Sequence, residues 1–148
     1  MRITNYILLF TTLFCLNLYG GSERLVEKAN YEISYEQALQ KAQELNKPLM
    51  MVVGQSECPW CSKFYVKTLT KKTINKKVQQ NFIPLTVLRD KDIFPKKFKP
   101  EAVPTVYFID PKEEESFYKS FGYKSKREYK IEIEIENAID LFNKKYKL

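Results

Sequence analysis

Apolar and polar residues change their spacing along this chain, and each spacing predicts an element. The first block runs from Ile7 to Tyr19, apolar except for Thr11, Thr12 and Asn17; it follows Arg2 and ends at Gly20-Gly21-Ser22. A basic residue, an apolar stretch and small residues in that order match a secretory signal peptide, and the stretch is shorter than the roughly 20 apolar residues that cross a bilayer. We therefore read 1–20 as a signal cleaved near Gly20, rather than as an uncleaved anchor. A lipidated Cys15 fits less well, because the bulky Phe14 precedes it.

Beyond that block, Ser34-Tyr35-Glu36-Gln37 has the layout of a capping box, and Tyr35, Ala38, Ala42 and Leu45 follow at helical spacing until Asn46 and Pro48. Leu49 to Val53 is a continuous apolar run, the pattern of a strand buried on both faces. Phe64, Tyr65 and Leu69 supply the apolar positions of a helix opened by Pro59, a residue tolerated in a first turn, and Lys71 to Gln80 predicts a second helix or its continuation. Further strands are expected over Phe82 to Leu88, over Val103 to Ile109 before Asp110-Pro111, and over Glu115 to Phe121 before Gly122. The C-terminal stretch is ambiguous. Ile131, Ile133 and Ile135 alternate as in a strand, but Ile131, Ile135, Ile139, Phe142 and Tyr146 hold helical spacing for longer, and length decides for a helix.

Strands alternating with helices place the chain in the α/β class. The 4 glycines are too few for a flexible linker and repeats are absent, so residues 21–148 are expected to form one domain. The net charge of +7 comes from lysines scattered among glutamates, which reads as a solvated surface rather than a nucleic-acid patch. No nucleic-acid partner and no stable membrane insertion of the mature chain are expected.

Composition narrows the chemistry further. Histidine is absent from all 148 residues, which removes every catalytic arrangement or metal site built on imidazole. What remains is Cys58-Pro59-Trp60-Cys61 at the junction of an apolar run and a helix. A thiolate is a good nucleophile and a thiol a poor one; the free N–H groups and dipole of a helix N-terminus lower a cysteine pKa from about 8.5 to roughly 3.5–7.5. Cys58 is thereby the exposed attacking sulfur, and Cys61, one helical turn on, the inward sulfur that resolves a mixed disulfide. An inert bridge over so short a loop would be a poor staple. A zinc site lacks two further ligands once Cys15 is removed with the signal. Delivery of Cu(I) by the two thiolates is an alternative, since thiolates suit that ion. A third reading is an interaction domain that keeps the fold without redox activity.

The apolar strand before Cys58-Pro59-Trp60-Cys61, the helix that the motif opens, and Val103-Pro104-Thr105 at the start of a later strand together resemble the thioredoxin superfamily. The resemblance spans nearly the whole mature chain. It implies a thioredoxin fold with a central mixed sheet of four to five strands flanked by helices, and a cis Val103–Pro104 bond. It also implies a thiol:disulfide oxidoreductase whose only redox group is the Cys58–Cys61 couple, with no bound cofactor or metal. Pro104, flanked by Val103 and Thr105, would shape the substrate groove, while Pro59 and Trp60 would set the redox poise and face partners. Two departures stand out. Val52 occupies the place of the buried aspartate that accepts a proton in thioredoxins, leaving Glu57 as the nearby acid for proton transfer. The pair also lacks the intervening histidine of strongly oxidising Dsb enzymes, which tilts the expectation toward a reductant or isomerase partner. Expected partners are protein thiols and disulfides and a membrane-bound electron donor or acceptor, in the periplasm or another exported location.

Overall fold

The computed structural model describes residues 21–124 and 130–148. The expected signal segment, including Cys15, lies outside them.

Two helices lead into the sheet: α1 (Gly21–Ala29) and α2 (Tyr35–Leu45). The sheet holds four strands: β1 (Leu49–Gly54), β2 (Ile83–Leu88), β3 (Thr105–Asp110) and β4 (Glu115–Phe121). Its spatial order is β2-β1-β3-β4, with β1 and β2 parallel and the other pairs antiparallel. Between β1 and β2 come α3 (Pro59–Phe64), a π-helical turn (Tyr65–Leu69) and α4 (Lys72–Asn81); α5 (Lys130–Tyr146) closes the described chain. This is a thioredoxin fold with a mixed four-stranded sheet, at the lower bound of the expected four to five strands.

All six residues of β1 are buried, as its unbroken apolar run requires of a central strand. Alternate residues feed two cores. Met50 and Val52 join Cys61, Phe64, Tyr65, Leu69 and the inner positions of α1, α4 and α5. Leu49, Met51 and Val53 join Tyr35, Ala38 and Ala42 of α2 with Phe98 and Tyr107. β4 is the half-exposed edge.

The structure differs from the sequence reading locally. α1 was not expected, because Leu25 and Ala29 are its only fully buried apolar positions, and they seat it on the π-helical turn. Only half of the capping box forms: Ser34 Oγ accepts the Gln37 N–H at 3.4 Å and donates to Glu36 Oε2, with no return bond from the Gln37 amide among the described residues. Leu45 is exposed, since α2 stops at Asn46 in the left-handed conformation before another turn can cover it. The third strand starts at Thr105 rather than Val103: Pro104 has no N–H to give the ladder, and pairing begins with Thr105 opposite Val53; the Val103–Pro104 bond is cis, as expected. The C-terminal stretch is helical, with Ile131, Ile135, Ala138 and Phe142 buried.

Candidate redox site at the mouth of the sheet

The C-terminal end of β1 releases the chain into Gln55-Ser56-Glu57 and then Cys58, which caps α3 with Pro59 in the first turn. Cys58 and Cys61 form a disulfide with a Cα–Cα distance of 5.2 Å. Cys58 Sγ accepts the Cys61 N–H at 3.1 Å, so the sulfur occupies the place of a capping oxygen. The two sulfurs differ in surroundings: Cys61 is 1% exposed inside the core, whereas Cys58 is half-buried at its edge. Downstream, the five-residue turn from Tyr65 to Leu69 is closed by a bond from Thr70 N–H to Tyr65 O. That wider turn brings Tyr65, Thr68 and Leu69 all to the buried side.

Gly54 makes this arrangement possible. A Cβ there would collide with Tyr65 Oη and lie 3.2 Å from Cζ, so the tyrosine ring closes over a bare backbone. Burial holds the Tyr65 hydroxyl well above the ordinary tyrosine range, so it stays protonated.

The second wall of the site is the segment around the cis bond. Val103 and Cys58 both pack against the core that contains Cys61. Carbonyls on either side of Val103 are used internally: Ala102 O accepts from Thr105 Oγ1 at 2.7 Å, and Pro104 O accepts the Gly122 N–H at 2.8 Å. Among the described residues the backbone of Val103 makes no hydrogen bond. Trp60 is 58% exposed, its ring 5.8 Å from that of Tyr123, with Lys63 Nζ 4.7 Å from the Trp60 centroid and 5.0 Å from the Tyr123 centroid. Tyr123 follows Gly122, so the exposed indole is linked through one turn to the cis proline.

Val52 is fully buried and lies opposite Thr86 in the parallel ladder. Asp110 is the only carboxylate residue in the buried class among the described residues, and it sits at the far end of β3. Glu57 is exposed, with a φ of 54° in the left-handed region. Among the described residues no group of three or more His, Cys, Asp or Glu side chains is arranged to hold a metal, and no helix is long and apolar enough to cross a membrane.

The sequence reading missed what holds the two walls. Arg89, just past β2, donates its backbone N–H to Gly54 O at 3.0 Å. Its guanidinium donates to Gln55 Oε1 at 2.7 Å, Pro100 O at 3.1 Å and Glu101 O at 2.6 Å. Beside it Asp90 Oδ1 accepts the Ser56 N–H at 3.0 Å, and that bond leads the interactions holding the Asp90 carboxyl below its usual range. Tyr123 was missed as well. The only sequence signal for Arg89 is a charged pair, Arg89-Asp90, at the end of an apolar run.

Residues 35–135 match the family model of a thioredoxin-like domain. An anterior gradient protein 2 of Xenopus laevis is 32% identical over 87 residues, 57% of this chain and 46% of that protein. An uncharacterized protein of Borreliella burgdorferi is 34% identical over 85 residues, 57% of this chain and 37% of that protein. The chain thus spans less than half of the length of these curated relatives. Among solved structures it resembles a thioredoxin from Thermus thermophilus, with TM-score 0.62 and 21% identity over 72% of this chain and 85% of that one. It also resembles a DsbH oxidoreductase, with TM-score 0.60 and 19% identity over 74% of this chain and 84% of that one.

Proposed function

This chain belongs to the thioredoxin-like domain family, and we propose that it is an exported thiol:disulfide oxidoreductase that acts on protein disulfides as a reductant or isomerase partner. The observation that carries the reading is the unequal pair: a half-buried Cys58 Sγ receiving a helix N–H, and a Cys61 shut inside the core. The N–H that meets Cys58 Sγ in the disulfide would equally meet a thiolate, and hydrogen bonds to the charged form lower a pKa.

In the reductive direction, the Cys58 thiolate attacks a substrate disulfide, forming a mixed disulfide and releasing one substrate thiolate. Cys61 then loses its proton and attacks Cys58 Sγ, closing the Cys58–Cys61 bond and releasing the second thiolate. The substrate gains two electrons and the protein loses two; Cys61 gives up one proton, and the released thiolates take their protons from that one and from solvent. Glu57, exposed just before Cys58, exchanges protons between the couple and solvent. Pro104 and Thr105 shape the groove, with Val103 offering peptide groups that make no hydrogen bond among the described residues to an extended substrate backbone, and Trp60 supplies an apolar face beside the sulfurs.

We assign residues 1–20 as the signal for export to the periplasm or an equivalent compartment, and a membrane-bound thiol donor as the source of electrons. Insulin reduction tests the activity. The protein should turn over and Cys58→Ser should fall to background; retained turnover in Cys58→Ser overturns the reading. Equilibrating the couple with glutathione tests direction. A potential toward the thioredoxin end, about −270 mV, fits a reductant, whereas one near −120 mV reverses the direction.

A further inference from the structure

A guanidinium presents five N–H donors in a rigid planar fork, so one arginine can fix several acceptors in a set geometry. Arg89 uses that fork between two segments that are distant in sequence. On one side is Gln55, just before Cys58; on the other are the carbonyls of Pro100 and Glu101, just before Val103 and the cis bond. The donor itself is anchored by its own N–H on Gly54 O, the bond that closes the last β1–β2 pair, Gly54 with Leu88. All three side-chain acceptors are uncharged oxygens, so this bridge organises backbone and amide groups rather than pairing with an acid.

We propose that Arg89 is a positioning residue for disulfide exchange, setting the distance between the Cys58 loop and the Val103 segment so that a polypeptide lying along Val103 presents its sulfur to Cys58. The inference rests on the exchange activity proposed above and adds a determinant of substrate class: polypeptide disulfides depend on Arg89, and small disulfides, which need no groove, do not. Reactions between groups held in place are sensitive to misplacement of about 1 Å, which can cost about a hundredfold.

The test compares rates on insulin and on cystamine, a small dialkyl disulfide, for the wild-type protein, Arg89→Lys and Arg89→Ala. Arg89→Lys keeps the charge but not the fork. We expect it to lower kcat/KM for insulin about tenfold, part of that range, while the cystamine rate stays within about twofold. Arg89→Ala should lose at least as much on insulin; should it fail to fold, Arg89→Lys decides. Because the bridge works by the shape of the donor fork on uncharged oxygens, the insulin-to-cystamine ratio of Arg89→Lys should be displaced equally at pH 6 and pH 8. An active wild type whose ratio is unchanged in Arg89→Lys overturns this inference alone. Wild-type protein inactive on both disulfides overturns the parent reading and this one with it.

Discussion

The two ends of β3 obey opposite rules. At the Thr105 end the strand emerges from a cis bond next to a Val103 backbone that makes no hydrogen bond among the described residues, and Thr105 pairs with Val53 just ahead of the loop that carries the disulfide. At the other end Asp110, its side chain 1% exposed, accepts from Lys145 Nζ and Tyr146 Oη of α5 at 2.5 and 2.6 Å and from the Lys112 N–H at 2.9 Å. One end leaves groups unsatisfied at the surface, where a partner can use them. The far end satisfies a buried charge completely and thereby fastens the last helix to the sheet. Groups that bind a visitor cannot also be consumed internally, so reactivity and closure are separated along a single strand.

Substitutions at the two ends should therefore fail differently, and the largest expected effect is at the open one. Gly54→Ala drives a Cβ into the buried Tyr65 ring and should cost about 2–3 kcal/mol in denaturant unfolding, the upper part of the overpacking range. Adding Tyr65→Phe removes the closest atom and should recover part of that loss; additive losses in the double variant would break the account of this contact.

At the closed end, Asp110→Asn should cost about 1.5–2 kcal/mol at neutral pH, the lower part of the range for hydrogen bonds to charged groups, and leave exchange on cystamine unchanged. Burial raises the Asp110 carboxyl, but the bonds from Lys145, Tyr146 and Lys112 outweigh it and hold the group below its usual range. A depressed folded pKa gives stability that is present above the unfolded value of about 3.9 and lost as pH falls through the folded one. The wild type and Asp110→Asn should thus converge in thermal midpoint in strong acid and diverge above about pH 4; parallel curves would remove Asp110 from the acid limb. The smallest effect on folding belongs to Trp60→Ala. Its ring is mostly exposed, so stability should change by less than about 1 kcal/mol, while insulin turnover falls more than cystamine turnover. Equal losses on both disulfides would make Trp60 a determinant of the couple itself rather than of its partners.

Legibility followed locality. The cysteine pair, the buried strand before it and the C-terminal helix are carried by neighbouring residues, through a spacing, an apolar run and a 3.6-residue period. α1 escaped notice because two buried residues do not make a period, and the π-helical turn because burying Tyr65, Thr68 and Leu69 together follows no 3.6-residue spacing. Glu57 was legible only as an acid beside a cysteine; its exposed, left-handed position is a property of the loop.

By itself the sequence determined the class of fold, the redox pair and the absence of any imidazole alternative, because residue type and short spacing set those. Only the tertiary structure decided that Arg89 bridges Gln55 and the carbonyls of Pro100 and Glu101, that Tyr65 closes over Gly54, and that Lys145 and Tyr146 of α5 hold Asp110. Each of these is a meeting of residues from separate parts of the chain, and such meetings are fixed by packing and by hydrogen bonds that no local pattern encodes.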